Sequence, residues 1–431
     1  MWARVADSLL CKSVCDYSAL NFDSASRAAD NGSWVRSNFG KYVLVAKLAE
    51  GGMAEIFLAV EDMGRAGRRF VIIKRIRDAF RADPDYEDYF LTEGRVALQL
   101  SHPHLPMAYE LGEIDSALYL AMEFIRGPTL LDILRNAYNA RKPLSVRSCV
   151  TIARAVAAAL DHAHTLRDVN GEPLHIIHRD VTPQNTLVCY DGSIKLIDFG
   201  IAQARIQSHE TAAGVVKGKF SYLAPEQIDP AGVIDQRADL FSLGVMMHES
   251  LLGRVLFRGR TDRETIKRVL KAPIPDPAVK RPEVPADLAK VVLRALARNP
   301  VNRYRSAAAL LADLEAVADR ENLGVSLTEL REEVRALCGP PQQFKIPTID
   351  DGEAPIERSR RMKTVQSPAR RADGSEPTPE PTPSPTGLAA DEDLRYFLAR
   401  AGVVVPSPRP RRLSTTRTEV EFAELLATLE R

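Results

Sequence analysis

The chain has 431 residues, 45% of them apolar, which is enough for a sizeable core and fits one large catalytic domain with extra segments, or two to three ordinary domains. Its 58 basic and 57 acidic side chains leave a net charge of +1, which argues against a dedicated nucleic-acid binder. Five scattered cysteines (Cys11, Cys15, Cys149, Cys189 and Cys338) suit a reducing compartment rather than a disulfide framework, and Cys11 and Cys15 lack the further ligands of a structural metal site.

No apolar run approaches the ~18 residues of a membrane helix. The N-terminus lacks the basic and apolar pattern of a signal peptide, so the expectation is a cytoplasmic protein without an integral membrane segment. Residues 1–38 are rich in Ser, Ala, Asn and Asp and show no sustained period, which predicts a flexible leader. From Tyr42 to Val60 the pattern is strand-like, broken by a small-residue turn at Glu50–Ala54. Phe70–Ile76 predicts a third strand, Asp85–Leu100 a helix, and Leu118–Phe124 a strand that ends at Gly127-Pro128. Beyond Thr129 the chain turns helical. Helices are predicted at Val146–Leu166, Ala238–Leu252, Asp287–Ala297 and Ser306–Arg320, and two short strands, Thr186–Cys189 and Ile194–Ile197, flank a turn at Asp191-Gly192. A sheet followed by helices implies two lobes with a cleft between them.

The composition changes at Gly339. Ten of the 50 residues from Gly339 to Leu388 are Pro, which fixes φ and removes a donor, so residues 339–388 are predicted to be a disordered linker. Within residues 389–431, Leu394, Phe397, Leu398 and Ala401 fall at i, i+3, i+4, i+7, and Phe422, Leu425, Leu426 and Leu429 repeat the spacing. Helices that short are marginal alone. They are expected to dock on the folded domain or on a partner.

The most specific residues are His178-Arg179-Asp180-Val181-Thr182-Pro183-Gln184-Asn185, followed by Asp198-Phe199-Gly200 and Ala224-Pro225-Glu226. Together they resemble the catalytic loop H-R-D-x-x-x-x-N, the D-F-G and the A-P-E of protein kinases, in the same order and spacing. Val71-Ile72-Ile73-Lys74 resembles the strand that carries the phosphate-binding lysine, with Glu93 on the next helix as its partner. The form of the catalytic loop is most similar to the bacterial eukaryotic-like serine/threonine kinases, and the absence of Ala-Ala-Arg there argues against tyrosine specificity.

The resemblance implies an α+β, bilobal protein-kinase fold over residues 39–337: a small β-rich N-lobe (39–125) with one key helix, and a larger helical C-lobe (126–337). It implies ATP with Mg2+ (or Mn2+) as cofactor, protein substrates and a role in signalling. Asp180 would orient the acceptor hydroxyl and accept its proton. Asp198 and Asn185 would be the metal ligands, hard oxygen donors suited to Mg2+. Lys74, fixed by Glu93, would reach the phosphates. The hinge Leu120–Ile125 would hold the purine, with Met122 as gatekeeper and backbone groups of Glu123 and Ile125 as hydrogen-bond partners. Leu187 and Ile56 would sandwich the ring, and Ile72, where Ala is usual, would narrow the slot.

The phosphate loop Ala49-Glu50-Gly51-Gly52-Met53-Ala54-Glu55-Ile56 keeps one of the family's three glycines. Alanine at positions 49 and 54 implies a stiffer loop. Two further departures stand out. Thr182 occupies the usual lysine position of the catalytic loop, and Lys219 follows Gly218 where threonine is usual. The expectation is an exchange of roles, with Lys219 supplying the cation and Thr182 the hydroxyl. Arg179 before the catalytic Asp implies activation-loop phosphorylation at Thr211, or secondarily Ser208, with a dimer serving trans-autophosphorylation. Asp239 is expected to anchor the catalytic loop, and Arg303 to pair with Glu226. In the tail, Lys363-Thr364-Val365 and Arg411-Arg412-Leu413-Ser414-Thr415-Thr416 set hydroxyls beside basic residues, as autophosphorylation sites would. Two other classes compete: a pseudokinase or ATP-binding scaffold acting through its tail, favoured by the altered loop, and a small-molecule phosphotransferase, disfavoured by the long segment ending in Ala-Pro-Glu.

Overall fold

The computed structural model describes residues 34–51, 53–81, 83–199, 219–229, 232–341 and 363–364. Seven strands form one sheet: β1 (Trp34–Phe39), β2 (Tyr42–Glu50), β3 (Ala54–Asp62), β4 (Arg68–Ile76), β5 (Ala108–Ile114), β6 (Ala117–Glu123) and β9 (Lys363–Thr364), in the order β1-β2-β3-β4-β6-β5-β9. Among the described residues every pairing in this sheet is antiparallel. One helix, α1 (Pro84–Gln99), crosses this sheet. It starts where the Asp83 side chain accepts the Asp85 N–H and Pro84 fills the first turn.

The period of two divides the sheet into faces. Ile56, Leu58 and Ile72 turn to one side, where they cluster with Ile125, Leu187 and Ile197. Their neighbours Phe57, Ala59, Val71 and Ile73 turn to the other, where they pack with Phe39 and Tyr119. A third cluster under α1 joins Met53, Ile76, Phe90 and Leu120.

The large lobe is built from α2 (Leu130–Asn139), α3 (Val146–Thr165), α4 (Arg237–Leu252), α5 (Asp262–Lys271), α6 (Ala286–Ala295), α7 (Ala307–Arg320) and α8 (Leu327–Cys338), with a ribbon of β7 (Thr186–Val188) and β8 (Ile194–Leu196). The caps are local. Thr129 and Asp132 form a capping box on α2, Ser145 caps α3, and Ser326 with Glu329 caps α8. α4 ends at Gly253, whose φ of +66° lets the chain turn in the left-handed region. Gly127 sits at the connection between the lobes, where an added Cβ would lie 2.4 Å from the Val188 carbonyl oxygen, so only glycine fits.

β1 starts five residues before Phe39 and pairs with β2 through contacts such as Phe39↔Tyr42. Residues 34–38 of the expected leader 1–38 thus belong to an edge strand, while residues 1–33 lie outside the described residues. At the other end α8 continues to Cys338, and its Leu330 and Val334 enter the large core. Lys363–Thr364, inside the stretch read as linker, lies on β5 as β9. The terminal amphipathic segments of 389–431 lie outside the described residues. Among the described residues no helix is long and apolar enough to cross a membrane.

Candidate active site

Strand β4 carries Lys74 with 4% of its surface exposed, two positions from Ile72 and on the same face. Lys74 Nζ forms an ion pair with Glu93 of α1 and lies 3.9 Å from Asp198 Oδ1. An ammonium so deep in the protein is tolerated because two carboxylates face it.

Opposite, the catalytic loop is fixed by Asp239, which is fully buried near the start of α4. Its two oxygens accept the backbone N–H of His178 at 2.8 Å and of Arg179 at 2.7 Å, and His164 Nε2 lies 2.8 Å from Oδ2. Burial works against ionisation of Asp239, but the His164 bond and the two nearby imidazoles outweigh it and hold its carboxyl below the usual range. The backbone needs this hold. Arg179 and Asp198 adopt φ of +67° and +68°, a left-handed conformation that costs non-glycine residues about 1–3 kcal/mol.

His178 accepts the Asp180 N–H at Nδ1 (3.3 Å) and donates from Nε2 to the Ile197 carbonyl (3.1 Å). Burial pushes its pKa down, so the ring is neutral and acts as a spacer between the Asp180 and Asp198 segments. Phe199 packs on that ring with centroids 4.5 Å apart. Asn185 Nδ2 donates to the Asp180 carbonyl (2.9 Å) and carboxylate (3.0 Å), which leaves Asn185 Oδ1 as its ligand oxygen.

Between the lobes lies a pocket with about 690 Å³ of open space including its mouth. Of the expected site residues, Ile72, Glu93, Met122, Glu123, Ile125, Leu187 and Asp198 line it. Ile56 belongs to the apolar cluster that forms its roof. The Ile125 N–H donates to no group among the described residues, whereas the Glu123 N–H is taken by the Met107 carbonyl at 2.8 Å. The Glu123 carboxylate accepts from Lys195 at 2.9 Å, and that contact joins the connection between the lobes to β8.

The expected phosphate loop divides. Gly51 N–H closes the β2–β3 turn on the Ala54 carbonyl at 2.8 Å. Glu50 is tied to Lys47 at 2.5 Å and to Arg77 at 3.0 Å, and Ala49 packs partly buried on the roof cluster. Met53 and Ala54 do not line the pocket. Both are buried against Ile76 and Phe90, because the apolar side chain finds its cover under α1. Gly52 lies outside the described residues, as do Ser208 and Thr211.

Thr182 is buried, and its Oγ1 accepts the Asn185 N–H at 3.3 Å, which stiffens the catalytic loop from within. Lys219 opens a short turn, Lys219–Ser221, and its side chain is not described. Further from the cleft, Arg303 grips Glu226 with two bonds of 2.5 and 2.7 Å and spends its other donors on the carbonyls of Ala297, Arg237 and Arg298. His164 and Lys195 escaped sequence reasoning: an Ala-rich helix and an isolated strand lysine carry no local sign of a partner 75 or 72 positions away.

Among the described residues no group of three His, Cys, Asp or Glu side chains is arranged to hold a metal. Mg2+ requires no such cage, since it keeps waters and is shared with phosphate oxygens through one or two carboxylates. Asp198 and Asn185 fit that chemistry. A buried lysine between two carboxylates beside an apolar slot is chemistry suited to holding phosphate groups.

The protein kinase domain model matches residues 42–313, and the chain belongs to the protein kinase family. It is 36% identical over 315 residues to the tyrosine-protein kinase MasK of Myxococcus xanthus, covering 72% of this chain and 48% of that one. It is 32% identical over 294 residues to the serine/threonine-protein kinase PrkC of Bacillus subtilis, covering 68% and 43%. The chain thus spans about half the length of the curated relatives it matches. Among solved structures, the Mycobacterium tuberculosis PknI kinase domain aligns at 27% identity and a TM-score of 0.48, covering 65% of this chain and 97% of that one.

Proposed function

We propose that this chain is an ATP-dependent protein serine/threonine kinase that transfers the γ-phosphoryl group to hydroxyls of protein substrates. The observation that carries the reading is that Lys74 pairs with Glu93 and lies 3.9 Å from Asp198, while Asn185 holds Asp180 and accepts the N–H of Ile197, the neighbour of Asp198, at its carbonyl. A pseudokinase has no need to keep that set intact. ATP with Mg2+ supplies the activated phosphoryl group when bound. Lys74 exchanges part of its pairing for phosphate oxygens, with Glu93 holding the ammonium in place. Asp198 and Asn185 offer oxygen ligands to the metal. Asp180 aligns the acceptor hydroxyl and takes its proton as the bond to phosphorus forms. The apolar slot under Ile72 and Ile56 excludes water around the purine, and the Ile125 N–H is the donor available to it.

Lys219 supplies a cation near the transferring group in place of the lysine that Thr182 replaces. What supports this is that Thr182 is committed to the loop interior, so the charge must come from elsewhere. Serine and threonine are the favoured acceptors, as the names of PrkC and PknH indicate for those relatives, while MasK is named for tyrosine. Activation-segment phosphorylation at Thr211 or Ser208, a dimer for trans-autophosphorylation and action in the cytoplasm belong to the same reading.

The test is transfer of labelled phosphate to a generic protein substrate with Mg2+, followed by phosphoamino-acid analysis. Asp180→Ala is expected to lower turnover by roughly 10²–10⁴-fold, and Lys219→Ala by about 10²-fold. Label on tyrosine alone would overturn the acceptor assignment. Wild-type nucleotide binding without transfer would return the molecule to the scaffold reading.

A further inference from the structure

The small-lobe sheet ends on one side at β9, which is only Lys363 and Thr364. Its register sets Thr364 opposite Gly112 and Lys363 opposite Glu113. Without it the outer edge of β5 would present a row of unpaired backbone groups, the kind of edge that recruits another strand. The charges on the two sides are opposite. β5 and its turn carry Glu113 and Asp115, both exposed, while Glu110 is taken by Lys41 and Tyr119. The tail segment Arg358-Ser359-Arg360-Arg361-Met362-Lys363-Thr364 carries four cations in seven residues and no acid. The tail also starts from a suitable place. α8 ends at Cys338, whose sulfur accepts a hydrogen bond from Asn136 of α2, the first helix beyond the connection between the lobes. Between Pro341 and Lys363 lie 21 residues, able to reach as far as ~70 Å, more than a lobe's width.

We propose that the outer edge of β5 is a docking surface for this chain's own basic tail, Arg358–Thr364. Lys363–Thr364 adds as the antiparallel strand, with Lys363 in register with Glu113, and so ties the large lobe to the small one from outside the nucleotide cleft. Strand addition gives the affinity through backbone bonds, and the facing charges select this segment over the Pro-rich sequence that follows. Phosphorylation of Thr364 would set roughly −2 charges beside Glu113 and release the tail. The proposal stands on the fold and not on phosphoryl transfer, so either can fail without the other.

The experiment is hydrogen–deuterium exchange of the full chain, followed in the peptide Ala108–Ile114, where alternate amides point away from β6. Thr364→Pro removes the donor and is expected to speed exchange of the outward amides roughly ten-fold. Lys363→Glu and Glu113→Lys should each speed it about two- to five-fold, and the double exchange of the two charges should restore protection. Unchanged exchange in Thr364→Pro overturns the proposal. Exchange that speeds up on dilution of the wild-type protein also overturns it, by assigning the strand to a second chain.

Discussion

The two lobes hold their charged side chains by different means. In the large lobe, Asp239 and Arg303 are fixed mainly by backbone groups: Asp239 by the amides of His178 and Arg179, and Arg303 by three carbonyls beside Glu226. In the small lobe the partners are other side chains. Lys41 bridges Glu61 at 2.8 Å and Glu110 at 2.6 Å, Arg69 meets Glu61 at 2.6 Å, and Glu55 binds both Lys47 and Arg75 at 2.8 Å. The apolar cores match this division, with one continuous cluster below and three separate small ones in and around the sheet. A charge held by backbone fixes a loop whether or not ligand is present. A charge held by another side chain can share or trade partners, as Lys74 would under the proposed function when phosphate joins Glu93 beside it. The lobe that positions the catalytic carboxylate is therefore built rigid, and the lobe that handles nucleotide is built from exchangeable pairs.

Removing Asp239 would test the rigid half most severely. Asp239→Ala leaves the His178 and Arg179 amides and His164 Nε2 without their acceptor in a buried site, at about 1–3 kcal/mol for each group that water does not reach. Denaturant unfolding is expected to show a loss of at least ~3 kcal/mol. Phosphoryl transfer should fall as well, because the left-handed turn at Arg179 loses its hold. A loss below ~1 kcal/mol would mean that the loop is supported by packing alone.

Much of this arrangement was legible before any coordinates. The sequence placed Lys74, Asp180, Asn185 and Asp198 through motifs whose spacing is set by chemistry, and the long helices through their periods. What stayed hidden depends on contacts distant in sequence. β5 reads Ala-Tyr-Glu-Leu-Gly-Glu-Ile, with no clean alternation, because its neighbours β6 and β9 decide its pairing. The Met53 side chain was read with the phosphate loop, since nothing local shows that α1 will cover it. His164 became visible only when α3 was packed on α4.

Acid titration should show two pH windows, the upper one set by buried imidazoles of the large lobe and the lower one by paired carboxylates of both lobes. His178 and His248 are buried, and burial lowers their pKa from the ordinary 6.5. Their folded forms refuse protons that the unfolded chain accepts, so the stability they confer is present above about 6.5 and is lost as pH falls below it. The slope is about 1.4 kcal/mol per pH unit for each ring. In the small lobe Glu61 and Glu110 are pulled down despite burial, by Lys41 together with Arg69 and Tyr119 respectively. Their contribution is complete above the ordinary 4.5 and disappears as pH falls through their lowered values. Denaturant midpoints are therefore expected to decline in two stages. His248→Gln should remove about 1.4 kcal/mol per pH unit from the upper stage only. An unchanged slope above pH 5 in that variant would show that His248 does not titrate as its burial requires.

The smallest effect belongs to the exchangeable pairs at the rim of the cleft. Glu50 is half exposed, and it joins Lys47 and Arg77 at the β2–β3 turn. Solvent screens both contacts, and such pairs are worth about 0–1 kcal/mol. Glu50→Gln should leave the melting temperature within a degree or two, on the order expected for less than ~0.5 kcal/mol. Any loss should disappear at high salt. The same substitution removes one negative charge from the expected phosphate loop, while Lys47 keeps Glu55 and Arg77 keeps the Gly51 carbonyl, so a fall in KM for ATP with unchanged kcat is the expected kinetic result. If Glu50→Gln instead destabilises the fold by more than ~2 kcal/mol, the turn is held as firmly as the catalytic loop. The division between a rigid lobe and an exchangeable one would then fail at the place where nucleotide binding needs it.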